Sequence, residues 1–417
     1  MKFAIFMNPQ IPGSGFSDLE NAQARRPIGR DTESYQKMLH EIREIAVLAD
    51  RTGYDAIMLT EHHFHSEGFE FSVNPLLLLA DLAARTERIN IAPLGMVLPA
   101  WDPIRAAEDV ALLDQLSGGR LRLGVARGYQ NRWANVHGQR WHTGATMSDK
   151  SAADDRNFAV FGEILKIMKL AWGSETLRYR SDVLDGWSIP FPYEGIEGWP
   201  AQEWTRTLGA PGELDDAGRV VAPSVCPRPY QEPHPELWQP FTISDRSIRR
   251  CAQEDILPWM FVPNPDEHKK KCELFRDESA KCGREYALGE HTGILKMIAI
   301  GEDRDQAIAD NDQYVSADFA KFFGSFGYLE ALRRPDDDPK KPIPTKRSSY
   351  RNMADAELAL VGTPDDVKRG LQRMLDRMPG LEWFGLFMQG QQGVAPLDHV
   401  TRTLEMFAEK VIPEFQD

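Results

Sequence analysis

Cysteine is scarce in this chain: four residues in 417, with no CxxC pair and no zinc-type spacing. Cys226, Cys251, Cys272 and Cys282 therefore read as free thiols of a reducing cytoplasm, and a disulfide scaffold is excluded. A basic surplus is also missing. Lys plus Arg total 49 against 63 Asp plus Glu, a net charge of −14, and the densest cationic run, Lys269–Lys271, sits among acids. Partners that demand a positive face, duplex nucleic acid and anionic lipid, are not expected. No long hydrophobic run is present. The longest uncharged apolar-rich run, Ile89–Trp101, falls short of the roughly 18–20 residues of a membrane span and contains Pro93 and Pro99. After Lys2 the short apolar stretch Phe3–Met7 is cut by Asn8-Pro9, unlike a secretory signal. Neither a GxGxxG after the first strand, nor a GxxxxGK[ST] loop, nor a GxSxG elbow appears, which disfavours the corresponding nucleotide-binding and hydrolase folds.

What remains is ordinary globular material, 42% hydrophobic and 27% charged, long enough to bury a large core. Strand-like and helix-like segments alternate. Lys2–Met7, Ala56–Leu59, Ile89–Val97 and Leu121–Ala126 read as buried strands. The helical stripes Tyr35–Thr52, Asn74–Thr86 and Pro103–Leu116 separate them, with Gly53 and Gly118-Gly119 as stops. A helix over Ser148–Trp172 follows. Then come strands at Phe241–Ser244, Leu257–Val262, Gly293–Ile300 and Trp383–Met388, and helices from Ser247, Asp266, Arg304, Pro364 and Pro396. Eight strands each leading to a helix predict a (β/α)₈ TIM-type barrel, a single domain over 1–417. Two long irregular stretches, 173–240 and 324–353, are expected as insertions at the C-terminal face, where such barrels carry their active sites.

That rule selects candidates. The end of the second strand carries Glu61, His62, His63 and His65, imidazoles suited to proton transfer. His63 and His65 alternately offer a metal-binding pair, and with it a metal-dependent hydrolase, although no later strand end supplies further ligands. The third strand ends in Leu94-Gly95-Met96, a flat uncharged wall suited to a planar ring or to plain core. At the fourth, Arg127 can hold a phosphate or carboxylate, or an ordinary ion pair. At the fifth, Ser244 and Ser247 open a helix and suit either an anion or simple capping. The aromatic-rich insertion (Trp187, Phe191, Tyr193, Trp199, Trp204, Tyr230, Trp238) could cover an apolar substrate or pack its loop to the barrel.

Taken together, Met58–Phe64 (MLTEHHF), Met96–Pro99 (MVLP), Asp102–Leu116, Ser117–Gly128 (SGGRLRLGVARG) and Leu360–Pro364 resemble the bacterial-luciferase-like flavin monooxygenases over nearly the whole chain. The resemblance implies a dimeric (β/α)₈ enzyme. It would take reduced FMN from a separate reductase and use O₂ to oxygenate a small organic substrate through a flavin C4a-peroxide; the aromatic residues of the chain favour an apolar, cyclic or aromatic one. It assigns His62 acid/base work with Glu61 and His63 beside it. It further assigns Arg127, Ser244 and Ser247 to the flavin phosphate, and Leu94, Gly95 and Met96 to the wall beneath the ring, with a non-prolyl cis peptide at Leu94–Gly95. The 324–353 stretch corresponds to a mobile lid. Ala126 stands where the luciferases carry a reactive cysteine, which argues against light emission. The same superfamily contains deazaflavin-dependent hydride-transfer enzymes, a second reading. A flavin-binding protein that acts only by partnering is a third.

Overall fold

The computed structural model describes residues 1–417 apart from 17–18, 147–148, 335, 339, 389–391 and 417. Two compact units are present, one made of Met1–Gly95 and Leu237–Asp417, the other of Met96–Glu236.

In the first unit the strands run in parallel. Lys2–Met7 lies between Ala56–Leu59 and Trp383–Phe387, and Asn90–Pro93 pairs with Ala56–Leu59. On the other side, Gly293–Ile300 pairs with Trp383–Phe387, its first residues with Ile256–Met260, and its last four with Ala359–Gly362. Leu237–Gln239 joins Ile256–Met260. Every residue of these strands but Lys2 and Asn90 is buried, as expected for parallel strands covered on both faces. Alternate side chains meet in one core of Ala4, Phe6, Met58, Leu295, Met297, Trp259 and their neighbours. There the Trp238 ring lies 5.3 Å from Trp259 and 5.0 Å from Trp383.

Local signals place the helices. Thr32–Thr52 starts at Asp31, which accepts from the Glu33 amide at 3.2 Å, and stops at Gly53, whose φ of 93° few residues but glycine adopt readily. Pro75–Ala83 is capped by Asn74 (3.1 Å to the Leu77 amide). Pro364–Arg377 opens with a reciprocal Thr363–Asp366 capping box.

Three differences from the sequence reading split, move or add a strand. The stretch Ile89–Val97 is two strands, Asn90–Pro93 and Met96–Val97. The strand expected at Phe241–Ser244 lies earlier, at Leu237–Gln239, because Pro240 has no amide to donate, Phe241 adopts φ 46°, and Ser244 caps the next helix. Ala359–Gly362, read only as a helix approach, is a strand. The stretch 324–353 is largely turns and short helices, and its Leu329, Leu332, Ile343, Tyr350 and Met353 belong to the main core.

The second unit holds a short parallel pair, Met96–Val97 with Leu123–Ala126. Its helices include Pro103–Ser117, capped by Asp102, and Ala152–Gly173, capped by Ser151. Ser148, where the sequence places that second start, lies outside the described residues. Beyond it come a two-residue antiparallel hairpin, Tyr179–Arg180 with Ser188–Ile189, and the helix Gln202–Leu208. The aromatics of this stretch form no single cluster: Phe191, Trp204 and Tyr230 are exposed, whereas Trp238 lies in the first unit's core. Among the described residues no helix is long and apolar enough to cross a membrane.

Candidate active site

The chemistry gathers where the strand Ala56–Leu59 ends. From Thr60 the chain folds back on itself: the His62 amide donates to the Ser72 carbonyl at 2.8 Å and the Gly68 amide to the His65 carbonyl at 2.9 Å. Phe64, at φ 63°, turns outward. The result is that Glu61, His62, His65 and Glu70 are all buried, at 2%, 7%, 3% and 1% exposure. Charges at that depth require partners, and two carboxylate–imidazole pairs supply them. Glu61 Oε1 lies 3.1 Å from His63 Nε2, and Glu70 Oε2 lies 3.6 Å from His62 Nδ1. The other Glu70 oxygen accepts from Asn8 Nδ2 at 3.1 Å, so the end of the first strand fixes the acid that faces the catalytic candidate of the second. Burial, and after it the field of Glu70, push the Tyr328 phenol well above its ordinary range. A carboxylate beside one imidazole nitrogen fixes the ring's orientation, which a proton-transfer residue needs.

The sequence placed Glu61, His62 and His63 together, and the structure brings them together. Glu70 and Asn8 were missed. His62 and His65 have their rings 5.8 Å apart, and with Glu70 they form a group whose ligand atoms lie within 4.8 Å of one another. His63, one half of the metal pair read from sequence, is engaged with Glu61 instead.

Leu94 adjoins the same strand end, its amide donating to the Leu59 carbonyl at 2.7 Å, and the Leu94–Gly95 peptide is cis. Met96 opens the short strand of the second unit and is buried. At the helix Asp245–Glu254 the Ser244 hydroxyl oxygen accepts from the Ser247 amide at 3.2 Å, and the Ser244 hydroxyl donates to Ser247 Oγ at 2.9 Å. Ser244 thus caps the helix, and both serines carry hydroxyls at its amino end. Arg127 is held inside the second unit by Asp154, Thr146 and Asn157 (Nε to Oδ1, 2.9 Å), and stacks on Phe158. Its ion pair with Asp154 is almost wholly buried.

A cavity of about 720 Å³ opens in the first unit, walled by Phe16, Leu19, Ile28, Phe69 and Phe322 with Asp318 at its side. Phe322 is 4.3 Å from Phe69 and 5.8 Å from His65, ring centre to ring centre, so the cavity adjoins the histidine cluster.

With this geometry, comparison with known proteins is decisive at the level of family. Residues 21–378 match the family of luciferase-like monooxygenases, and the chain belongs to it. It is 25% identical over 403 residues to the alkanal monooxygenase alpha chain of Photobacterium leiognathi, covering 92% of this chain and 96% of that one. Among solved structures, it superimposes on the oxygenating constituent of 3,6-diketocamphane monooxygenase from Pseudomonas putida, a type II Baeyer–Villiger monooxygenase in complex with FMN. The TM-score is 0.70 at 19% identity, covering 100% of this chain and 99% of that one. It also resembles the coenzyme F420 dependent tetrahydromethanopterin reductase of Methanopyrus kandleri, with a TM-score of 0.58 at 14% identity, covering 100% and 99%. At such identities the structural likeness shows the fold, the α/β barrel class expected from the strand–helix alternation. The protein is a monooxygenase of the luciferase-like class, and the hydrolase reading gives way.

Proposed function

We propose that this chain is the oxygenase component of a two-component system, a homodimer working in the cytoplasm. It takes reduced FMN from a separate reductase and uses O₂ to oxygenate a small apolar, cyclic or aromatic substrate. The observation that carries the reading is the buried His62–Glu70–Asn8 arrangement beside Leu94–Gly95. A polar, proton-handling group there adjoins an uncharged wall, which is the donor set a reduced flavin requires. When bound, the reduced flavin supplies the two electrons with which one atom of O₂ enters the substrate and the other leaves as water.

The chain's own residues do the rest. His62 holds or moves the proton, and Glu70 keeps its ring in place. Glu61 and His63 fix the loop that presents it. Leu94, Gly95 and Met96 give the ring an uncharged wall. Ser244 and Ser247 offer hydroxyls and first-turn amides to the phosphate. The cavity beside His65, with Phe16, Phe69 and Phe322 in its wall, offers the substrate a seat of ligand size.

Hydride transfer with a deazaflavin is the second reading, supported by the fold-level likeness to the coenzyme F420 reductase. Anaerobic titration with reduced FMN and, separately, with reduced coenzyme F420 distinguishes them. Saturable binding of reduced FMN alone supports the oxygenase; binding of reduced F420 alone transfers the chain to the hydride branch.

A further inference from the structure

The group His62, His65 and Glu70 can do something that proton transfer does not require of it. One ligand atom from each side chain lies within 4.8 Å of the other two. Three atoms held at about 2.0–2.2 Å by one tetrahedral ion stand roughly 3.3–3.6 Å apart. His62 Nδ1 and Glu70 Oε2, at 3.6 Å, already have that spacing. A shift of about 1 Å by the His65 ring closes the triangle. The backbone holds the three in place: the His62 amide is tied to the Ser72 carbonyl and the Gly68 amide to the His65 carbonyl.

The surroundings suit a cation. The Glu70 oxygen turned away from His62 accepts from Asn8 Nδ2 at 3.1 Å, the outer support that ligating carboxylates carry. Glu61 and Glu70 are both buried, and each is paired with an imidazole, which is neutral unless protonated. A divalent ion offsets the charge those pairs leave. Phe69 and Phe322 pack beside His65 and lower the local dielectric, which strengthens the attraction. Two imidazoles and one carboxylate suit Zn²⁺ or Co²⁺, whereas Mg²⁺ and Ca²⁺ seek shells of oxygen alone. We propose that His62, His65 and Glu70 bind one divalent transition ion of this kind, and that the bound ion silences the enzyme. A neutral imidazole has one ring lone pair, and a ring that gives it to a metal cannot also take up a proton. The ion site stands on geometry alone; the silencing rests on the monooxygenase reading.

Exposed thiols also take such ions, so the test uses the whole chain carrying Cys226→Ser and Cys282→Ser. The surface pair His40–Glu44, 3.9 Å apart, is the competing site. Titration with Co²⁺, without flavin, should saturate at one equivalent and give the strong visible bands of a four- or five-coordinate ion. Zn²⁺ should displace it and a large excess of Mg²⁺ should not. Glu70→Gln, which is nearly isosteric, and His65→Ala should each weaken binding about tenfold or more, and Asn8→Ala about tenfold. His40→Gln should change nothing, and circular dichroism checks that each variant is folded. Absence of the visible bands, their persistence at full affinity in folded Glu70→Gln and His65→Ala, or their loss in His40→Gln overturns the proposal. For the silencing, one equivalent of Zn²⁺ should bring the rate at which O₂ reoxidises protein-bound reduced FMN to that of His62→Ala, and a chelator should restore it. An unchanged rate with the ion bound overturns the silencing. Failure to bind reduced FMN, with the Co²⁺ spectrum intact, strikes the monooxygenase reading and supports the ion site.

Discussion

Lys296 offers a sharp test of the energetics. It is the one charged residue in the strand Gly293–Ile300 and is 2% exposed. Its ammonium donates to the carbonyls of Val262 (2.8 Å), Pro263 (3.4 Å) and Glu357. Burial pulls it from 10.5 down to about 7, with Glu357 opposing. The unfolded chain therefore binds the proton more tightly than the folded one between about pH 7 and 10.5. Stability must rise with pH across that window, and the cost of charging the buried amine is present in full below it. The limiting slope is about 1.4 kcal/mol per pH unit, so wild type should gain roughly 2–2.5 kcal/mol between pH 7.5 and 9.5 from this group alone. Lys296→Met lacks the titration. It also strands three carbonyls, at a cost of about 1–3 kcal/mol each, so its absolute stability is not the useful number. The useful number is the difference between urea-unfolding free energies of wild type and variant at the two pH values, which should widen by that 2–2.5 kcal/mol. Neighbouring titrations cancel in this difference. Cys251 and Cys272, held up at about 12 by burial, act equally in both proteins. His268, pulled down to about 3 by burial and then by Lys296, is neutral in folded and unfolded chains throughout the window. Parallel pH curves for the two proteins would refute the reasoning, because the amine would then be charged in both states.

Other outcomes follow from the same structure. Asp154→Ala leaves the buried Arg127 without its carboxylate and should cost about 3–5 kcal/mol by urea unfolding; a loss under 1 kcal/mol would mean the guanidinium finds water. Gly385→Ala puts a Cβ 2.6 Å from Leu295 Cδ2 and 2.9 Å from the Trp259 ring, so about 1–3 kcal/mol of overpacking should appear as a lower denaturation midpoint. His62→Ala should bind reduced FMN as wild type does yet lose product formation by about 10²-fold or more, with O₂ consumed unproductively; unchanged coupling would remove His62 from the chemistry.

Much of this was legible in the sequence because its signals are local. The cluster Glu61–His65 follows a four-residue apolar strand, and the rule that barrel sites lie at strand ends selected it. The stop at Gly53 and the helix start at Pro364 read correctly for the same reason. Glu70 did not, because its meaning depends on Asn8, 62 positions away, and on a fold-back between them that has no periodicity. Arg127 stood out as a charge at a strand end, with an ion pair one of its two readings; the acid that holds it, Asp154, comes 27 residues later. Pro240 marked the end of one strand, but the β-branched Thr242-Ile243 after it suggested a strand of their own and displaced the boundary. Ala359–Gly362 was too short for alternation to distinguish it from a helix approach. A lone lysine in the apolar run Gly293–Ile300 was a visible sign of a buried cation, since a strand covered on both faces leaves it no route to solvent.

The register of the first strand carries a consequence for biosynthesis. Lys2–Met7 is hydrogen-bonded on one side to Ala56–Leu59 but on the other to Trp383–Phe387. At roughly 5–20 residues per second, a ribosome needs about 20–80 s to make the intervening stretch. For that time Phe3, Ile5 and their neighbours hold an open, apolar strand edge on a nascent chain. Only the partner strand some 50 residues on arrives early enough to cover one flank. The unit containing the histidine cluster is thus among the last parts of the molecule to close, and slowing elongation late in the message should lengthen its dependence on chaperones rather than relieve it.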